Sequence, residues 1–276
     1  MATAAIEQDT AAGEAPEVLY EVADGIATLT LNRPERMNTI SRPMLSEIAR
    51  LLVVANEDEA VRAVIFTGTG RAFCAGLDLN AASSGEGIGG AEERVSVDLN
   101  LRNTPPTVLW GMSKPVIGAL NGSAAGYGMD MALGCDIRVM ADGAKLAAAF
   151  VKRGIVPESG GTWFLPRMIG WAKAAELIYT GRTLSAAESL ELGLVNHVVP
   201  ADQVAAKARE LALEIAANAP LAVQSAKRLM RMGMEESFDT HVHHVFLQLL
   251  PLFRTQDFRE GIASFLEKRP PEFHGR

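Results

Sequence analysis

This sequence predicts an α/β fold with an α-rich back half, and three observations carry that expectation. Two stretches match each other 52 positions apart: VIFTGTGRAFCAGLDL, from Val64 to Leu79, and VIGALNGSAAGYGMDM, from Val116 to Met131. Val64, Ile65, Gly70, Gly76 and Asp78 find identical partners in Val116, Ile117, Gly122, Gly128 and Asp130. Each copy runs from an apolar segment through a Gly-rich turn into a second apolar segment, which predicts a strand, a tight turn and a helix start. From Gly160 onward the apolar spacing becomes helical, with one short strand expected at Leu194 to Val199.

The elements follow in order. VLYEVADGIATLTLN alternates apolar and polar residues around Asp24-Gly25, the pattern of a β-hairpin closed by a two-residue turn. Ser41 is placed to cap a helix whose apolar periodicity spans Met44 to Asn56. Val61 to Thr67 reads as a strand, and SSGEGIGG, Ser83 to Gly90, as a loop over a site. Val95 to Met112 has helical periodicity interrupted by Pro105-Pro106, and Pro115 to Leu120 and Ile137 to Met140 read as strands. Pro220 opens a helix; His241 to Leu250 and Asp257 to Lys268 form two more. The expected division is a disordered tail at 1–16, a core at 17–205 holding the active site, and a helical region at 206–276.

Composition narrows the function classes. With 26 basic and 33 acidic residues the net charge is −7, which disfavours nucleic acid as a partner. No apolar run reaches membrane-spanning length, and the Ala-rich, acidic start lacks the basic residues of a signal or transit peptide, so a cytoplasmic location is expected. Cys74 and Cys135 both sit in apolar segments and are expected as buried free thiols. His241, His243 and His244 lack the i, i+4 spacing of helical metal ligands, so no metal site is expected.

The paired Gly-rich turns are the main functional clue. A helix start presents unpaired backbone N–H groups, and glycine lets another group approach the main chain closely. Two such turns facing each other hold one oxygen between two N–H donors, the geometry of an oxyanion hole. A dinucleotide-binding turn is the competing reading, but neither copy spells G-x-G-x-x-G.

These segments also carry a family resemblance. FCAGLDL (Phe73 to Leu79) followed by NGSAAGYGMDMALGCDIRVMAD (Asn121 to Asp142) resembles the crotonase superfamily of enoyl-CoA hydratases and isomerases. LTLNRPERMNTIS, VPESGGTWFLPRMIG, YTGRTLSAAESLELGLVNHVV and the EGIASFLEKRPPEF tail agree with it, so the resemblance spans roughly Val18 to Phe273. It implies a spiral of repeated ββα units, C-terminal helices that make subunit contacts, and a homotrimer or a dimer of trimers (a hexamer). It also implies an acyl-CoA thioester substrate and no cofactor beyond the coenzyme A carried by that substrate.

The resemblance assigns roles by position. The oxyanion donors are the N–H groups of Leu77 and Tyr127, where many relatives have Gly at the second position. Ala75, Gly76, Asp78, Gly126, Phe150 and Lys268 fall at substrate-contacting positions, and Arg269 accompanies Lys268. The family's hydratases use two glutamates; here those positions hold Asp130 and Phe150, and a phenyl ring moves no proton. Some of its isomerases place a single catalytic carboxylate where this chain has Glu158. Two readings stay open for each acid. Glu158 is either a proton shuttle or a charge favoured by a helix N-terminus. Asp130 is either a catalytic acid or a backbone-bonding group in the Gly-rich turn, the job expected of Asp78. The favoured reaction is migration of an enoyl-CoA double bond from the 3,4 to the 2,3 position. Hydration of 2-enoyl-CoA is the alternative, and thioester hydrolysis or a non-catalytic relative comes behind both.

Overall fold

In the computed structural model, residues 15–78 and 104–276 are described, together with the backbone of a short strand at Ala4–Ala5. The expected loop at Ser83 to Gly90, the first part of the helix expected at Val95 to Met112, and most of the expected tail lie outside them.

In chain order the strands are β1 (Ala4–Ala5), β2 (Val18–Ala23), β3 (Ile26–Leu31), β4 (Ala63–Gly68), β5 (Ala72–Cys74), β6 (Val116–Leu120), β7 (Ser123–Ala125), β8 (Ile137–Ala141), β9 (Lys145–Ala147), β10 (Thr183–Ser185) and β11 (His197–Val199). The helices are α1 (Arg42–Glu57), α2 (Pro105–Gly111), α3 (Tyr127–Gly134), α4 (Gly161–Ile169), α5 (Trp171–Thr180), α6 (Ala186–Glu191), α7 (Val204–Ala216), α8 (Pro220–Met232), α9 (Phe238–Leu252) and α10 (Gln256–Glu267).

The N-terminal hairpin forms as its sequence requires. β2 and β3 pair antiparallel with Ala23 opposite Ile26, and Asp24 and Gly25 both take positive φ, 54° and 75°, as a two-residue turn of that twist demands. α1 starts where expected, with the Ser41 side chain accepting from the Met44 N–H.

The repeat becomes a spiral of two sheets. A seven-stranded sheet has the order β1-β2-β3-β4-β6-β8-β11, parallel from β3 onward, and a four-stranded sheet has the order β10-β9-β7-β5. Each turn of the spiral contributes one strand to each sheet: β4 and β5, β6 and β7, β8 and β9. The second copy therefore reads strand-turn-strand-helix: the expected helix start is there, at Tyr127, with a short strand before it. The second strand is only three residues long in each case, too short to show alternation. A third unit, Ile137 to Ala147, has no matching Gly-rich signature and escaped the sequence comparison.

The 52-residue offset is the strand register itself. Val64 lies opposite Val116 and Ile65 opposite Ile117. In the second sheet the register shifts, so that Ala72 lies opposite Ser123 and Cys74 opposite Ala124. That shift decides which backbone groups meet at the site.

Pro105 and Pro106 open α2, as a ring with no N–H and a fixed φ favours. One further expectation changes. The back half holds β10 as well as β11, because Thr183 to Ser185 completes the edge of the second sheet against β9. The core is continuous across α1, the parallel strands, α3 and α7; every residue of α3 from Tyr127 to Leu133 is buried. By contrast α9 has no buried residue in the single chain. Both cysteines are free and buried, with their thiols pushed up to about 12 by desolvation. Among the described residues no helix is long and apolar enough to cross a membrane.

Candidate active site

Parallel pairing of β5 with β7 brings the two turns that follow them together. Gly76 (φ 88°) and Gly126 (φ 52°) both hold conformations that side chains disfavour. A Cβ on Gly76 would stand 2.7 Å from the Ala125 carbonyl oxygen and 3.6 Å from the Tyr127 nitrogen, so the two turns are in direct contact. Tyr127 is the first residue of α3, whose N–H groups there have no intrahelical acceptor. Leu77 is held differently: it forms an isolated parallel bridge with Ile40, whose N–H donates to the Gly76 carbonyl at 2.8 Å. Leu77 and Tyr127, which line one cavity, are 50 positions apart in the sequence, whereas the sequence repeat pairs Gly76 with Gly128. Gly128 serves another purpose, since a Cβ there would lie 2.3 Å from the Cys74 carbonyl oxygen.

The support for the first turn comes from a residue the sequence reading passed over. Asn38 is fully buried with φ 54°. Its Nδ2 donates to the carbonyls of Thr69 and Ala72, both at 2.9 Å, and its Oδ1 accepts from the Arg33 N–H at 2.8 Å. The neighbouring Met37 carbonyl accepts from the Ala75 N–H at 3.0 Å. An Asn in the run RPERMN, where the left-handed conformation and several free carbonyls coincide, was the available signal.

The two turns open into one cavity of about 70 Å³, lined by Ala75, Gly76, Leu77, Gly126, Tyr127 and, across from them, Phe150 and Glu158. Ala125, Ala149, Arg153 and Ile155 complete it; none of these four was singled out from sequence. Glu158 is the one carboxylate among these described lining residues. It is exposed in the single chain, and the partial desolvation of its carboxyl raises its pKa above the usual glutamate range. Glu158 also lines a second, larger cavity of about 720 Å³, and so does Tyr127. Burial, and secondarily the negative charges of Glu158 and Asp130, push the Tyr127 hydroxyl pKa up, so it stays protonated at neutral pH.

Asp130 lies behind this wall and lines neither cavity. It is 1% exposed, and its Oδ2 accepts from the N–H groups of Ser159 (3.3 Å) and Gly161 (3.0 Å), on either side of the turn that follows Glu158. Its Oδ1 is buried with no partner among the described residues. Desolvation raises its pKa to about 7, partly offset by the Gly161 N–H. The packing is close: a Cβ on Gly161 would sit 2.3 Å from Oδ1.

The remaining expected residues fall elsewhere. Asp78 pairs with Arg36 Nη1 at 2.9 Å and Arg33 Nη2 at 3.6 Å. Lys268 caps the C-terminus of α10 with φ 55° and lines neither cavity of the single chain, and Arg269 is ion-paired with Glu260 and Glu267. Glu236 lies 3.4 Å from His241 Nδ1 and 2.9 Å from His244 Nδ1. Among the described residues no group of His, Cys, Asp and Glu has the arrangement of a metal site.

Comparison with known proteins agrees with this geometry. The family model for enoyl-CoA hydratase/isomerase matches residues 21–276. This chain belongs to the enoyl-CoA hydratase/isomerase family. It is similar to the 1,2-epoxyphenylacetyl-CoA isomerase of Escherichia coli, 37% identical over 94% of this chain and 98% of that protein. It is also similar to the 2,3-dehydroadipyl-CoA hydratase of the same organism, 33% identical over 94% of this chain and 99% of that protein. Among solved structures, an enoyl-CoA hydratase from Bacillus anthracis superposes with a TM-score of 0.86 at 35% identity, covering 95% of this chain and all of the other. The two-sheet spiral is thus the crotonase fold, and the relatives include both isomerases and hydratases.

Proposed function

We propose that this family member is an enoyl-CoA isomerase that moves a double bond from the 3,4 to the 2,3 position of an acyl-CoA thioester, with Glu158 as the proton shuttle. The observation that carries the reading is the composition of the smaller cavity. Its backbone donors face one carboxylate, Glu158, while Phe150 occupies the position of a second acid. The Glu158 carboxylate takes a proton from C2 of the 3-enoyl thioester. The resulting negative charge spreads to the thioester oxygen, where the N–H groups of Leu77 and Tyr127 hold it, each donor contributing about 2.7–4 kcal/mol to the transition state. Glu158 then returns the proton to C4, and the double bond rests between C2 and C3. A carboxylate with a raised pKa is matched to taking and returning a proton near neutral pH.

Hydration of 2-enoyl-CoA by Asp130 and Glu158 together is the alternative. Against it stands the burial of Asp130, whose Oδ2 is committed to two backbone donors. The deciding experiment assays 3-enoyl-CoA and 2-enoyl-CoA with the wild type, Glu158→Gln and Asp130→Asn. Isomerisation is expected to dominate and to depend mainly on Glu158. Dominant hydration, lost equally in both variants, selects the alternative. The same reading requires no nicotinamide or metal, so EDTA is expected to leave turnover unchanged. It includes a cytoplasmic trimer or hexamer assembled through α8 to α10, whose exposed apolar side chains include Phe238, Phe265 and Leu266.

A further inference from the structure

The larger cavity is the neighbour of the smaller one. Tyr127 and Glu158 belong to both linings, so an acyl group whose thioester oxygen rests on the Leu77 and Tyr127 N–H groups has the larger space on the other side of these two residues. The sizes differ tenfold, about 70 against 720 Å³. The smaller space is of the order of a few water molecules and suits the reacting carbons alone. The larger one is far more than a short acyl group needs.

Part of its wall is aromatic, beside Leu45 and Pro106 and the polar Thr104, Thr107, Ser159 and Glu235. Trp110, Trp163 and Phe164 meet edge to face, with ring centres 4.6 Å apart for Trp110 and Trp163, 5.2 Å for Trp163 and Phe164, and 5.7 Å for Trp110 and Phe164. With Tyr127 they put four rings around one space, including two of the three tryptophans in the chain. The two indoles are pinned. The Arg231 guanidinium lies 4.9 Å from the Trp110 ring centre, and that of Arg167 lies 4.0 Å from Trp163. Arg231 is itself fixed by donating to the Met112 carbonyl at 2.8 Å. Flexible alkyl chains gain little from such a rigid array, whereas a planar ring completes its edge-to-face pattern.

We infer that this second cavity is the acyl subsite and that it selects thioesters whose acyl group ends in an aromatic ring, with Trp110 and Trp163 as specificity-determining residues. The inference rests on the acyl-CoA reading of the smaller cavity and adds the substrate class to it.

Competitive binding separates the two claims, using saturated esters that no isomerase or hydratase turns over. The probes are acetyl-CoA, decanoyl-CoA and 4-phenylbutanoyl-CoA; the last two have equal carbon counts. The phenyl ester is expected to bind the wild type most tightly. Trp163→Leu, which keeps an apolar wall but removes the ring, is expected to cut its advantage over decanoyl-CoA by roughly 2- to 10-fold, the worth of one aromatic pair. Decanoyl-CoA binding as well as the phenyl ester, or all three esters binding alike, overturns the inference while the acyl-CoA reading stands. Binding of none of them overturns that reading and the inference with it. The wild-type series decides even where the variant does not fold.

Discussion

At the residue scale, the two acids are distinguished by what surrounds them. Glu158 faces the cavity, and Glu158→Gln keeps its shape while removing the base. Isomerase kcat is therefore expected to fall by about 10² to 10⁴, the usual worth of a positioned acid or base, with smaller losses in Asp130→Asn. Steady-state rates on 3-enoyl-CoA for the folded variants check this. Asp130 has a stability signature of its own. Its pKa rises from 3.8 to about 7 in the folded protein, so the unfolded chain binds fewer protons between those values. This carboxyl therefore lowers stability as pH rises through that window, and the loss is complete above it. Thermal unfolding of Asp130→Asn against wild type is expected to show the variant gaining relative stability from pH 5 to pH 8. A flat difference across that range would mean that Asp130 stays ionised. Gly76→Ala adds a methyl group where φ is 88° and the Ala125 oxygen is 2.7 Å away. Its kcat is expected to collapse with the oxyanion geometry, read by turnover on a protein of native circular dichroism.

At the scale of elements, the site is a product of register. A sheet that kept the 52-residue offset throughout would have aligned Gly76 with Gly128; the shift between Ala72 and Cys74 brings Gly76 to Ala125 and Tyr127 instead. Asn38 locks that arrangement by bridging the β4–β5 turn to the segment after β3. Asn38→Ala removes the donor shared by the Thr69, Ala72 and Phe73 carbonyls, and a buried group left without its partner costs about 1–3 kcal/mol. A drop in unfolding free energy of that order is expected in denaturant titration, with a loss of kcat that exceeds any change in KM. The opposite end of α3 is also held: the buried Arg138 guanidinium donates to the Leu194 carbonyl at 2.6 Å and to the Cys135 carbonyl at the helix terminus. A positive charge there favours the helix dipole whose other end carries the Tyr127 N–H.

At the scale of the molecule, the division of labour is between a buried spiral and an exposed helical extension. α7 lies on the large sheet through Val204, Ala208 and Ala212. Beyond it α9 and α10 carry large apolar side chains in the open, Phe265 at 82% and Phe238 at 80% exposure. Lys227 in α8 ties this extension to the core, donating to the Lys114 carbonyl at 2.7 Å and pairing with Asp136. Sedimentation is expected to show a trimer or hexamer, and a stable, active monomer would rule out the assembly proposed for α8 to α10.

The sequence by itself determined the long strands, the Ser41 cap and the Asp24-Gly25 turn, because those rest on local periodicity, capping and backbone freedom. Glu158, Phe150, Leu77 and Tyr127 were legible as one set through the family resemblance, and the structure brings them around one cavity. Only the tertiary structure decided the rest. The three-residue strands of the second sheet carry too little pattern to be read, and they exist because neighbouring strands supply their hydrogen bonds. The third unit at Ile137 to Ala147 has no matching glycine signature, yet its end reaches the site: the Gly126 N–H donates to the Ala147 carbonyl at 3.0 Å, and Ala149 and Phe150 line the cavity. Asp78 and Asp130 are equivalent in the repeat, yet one meets two arginines in a half-buried position and the other is sealed beneath the Glu158 turn. Identical residues in matched local sequence took different roles because long-range packing sets their surroundings, and surroundings set the charge a carboxyl carries.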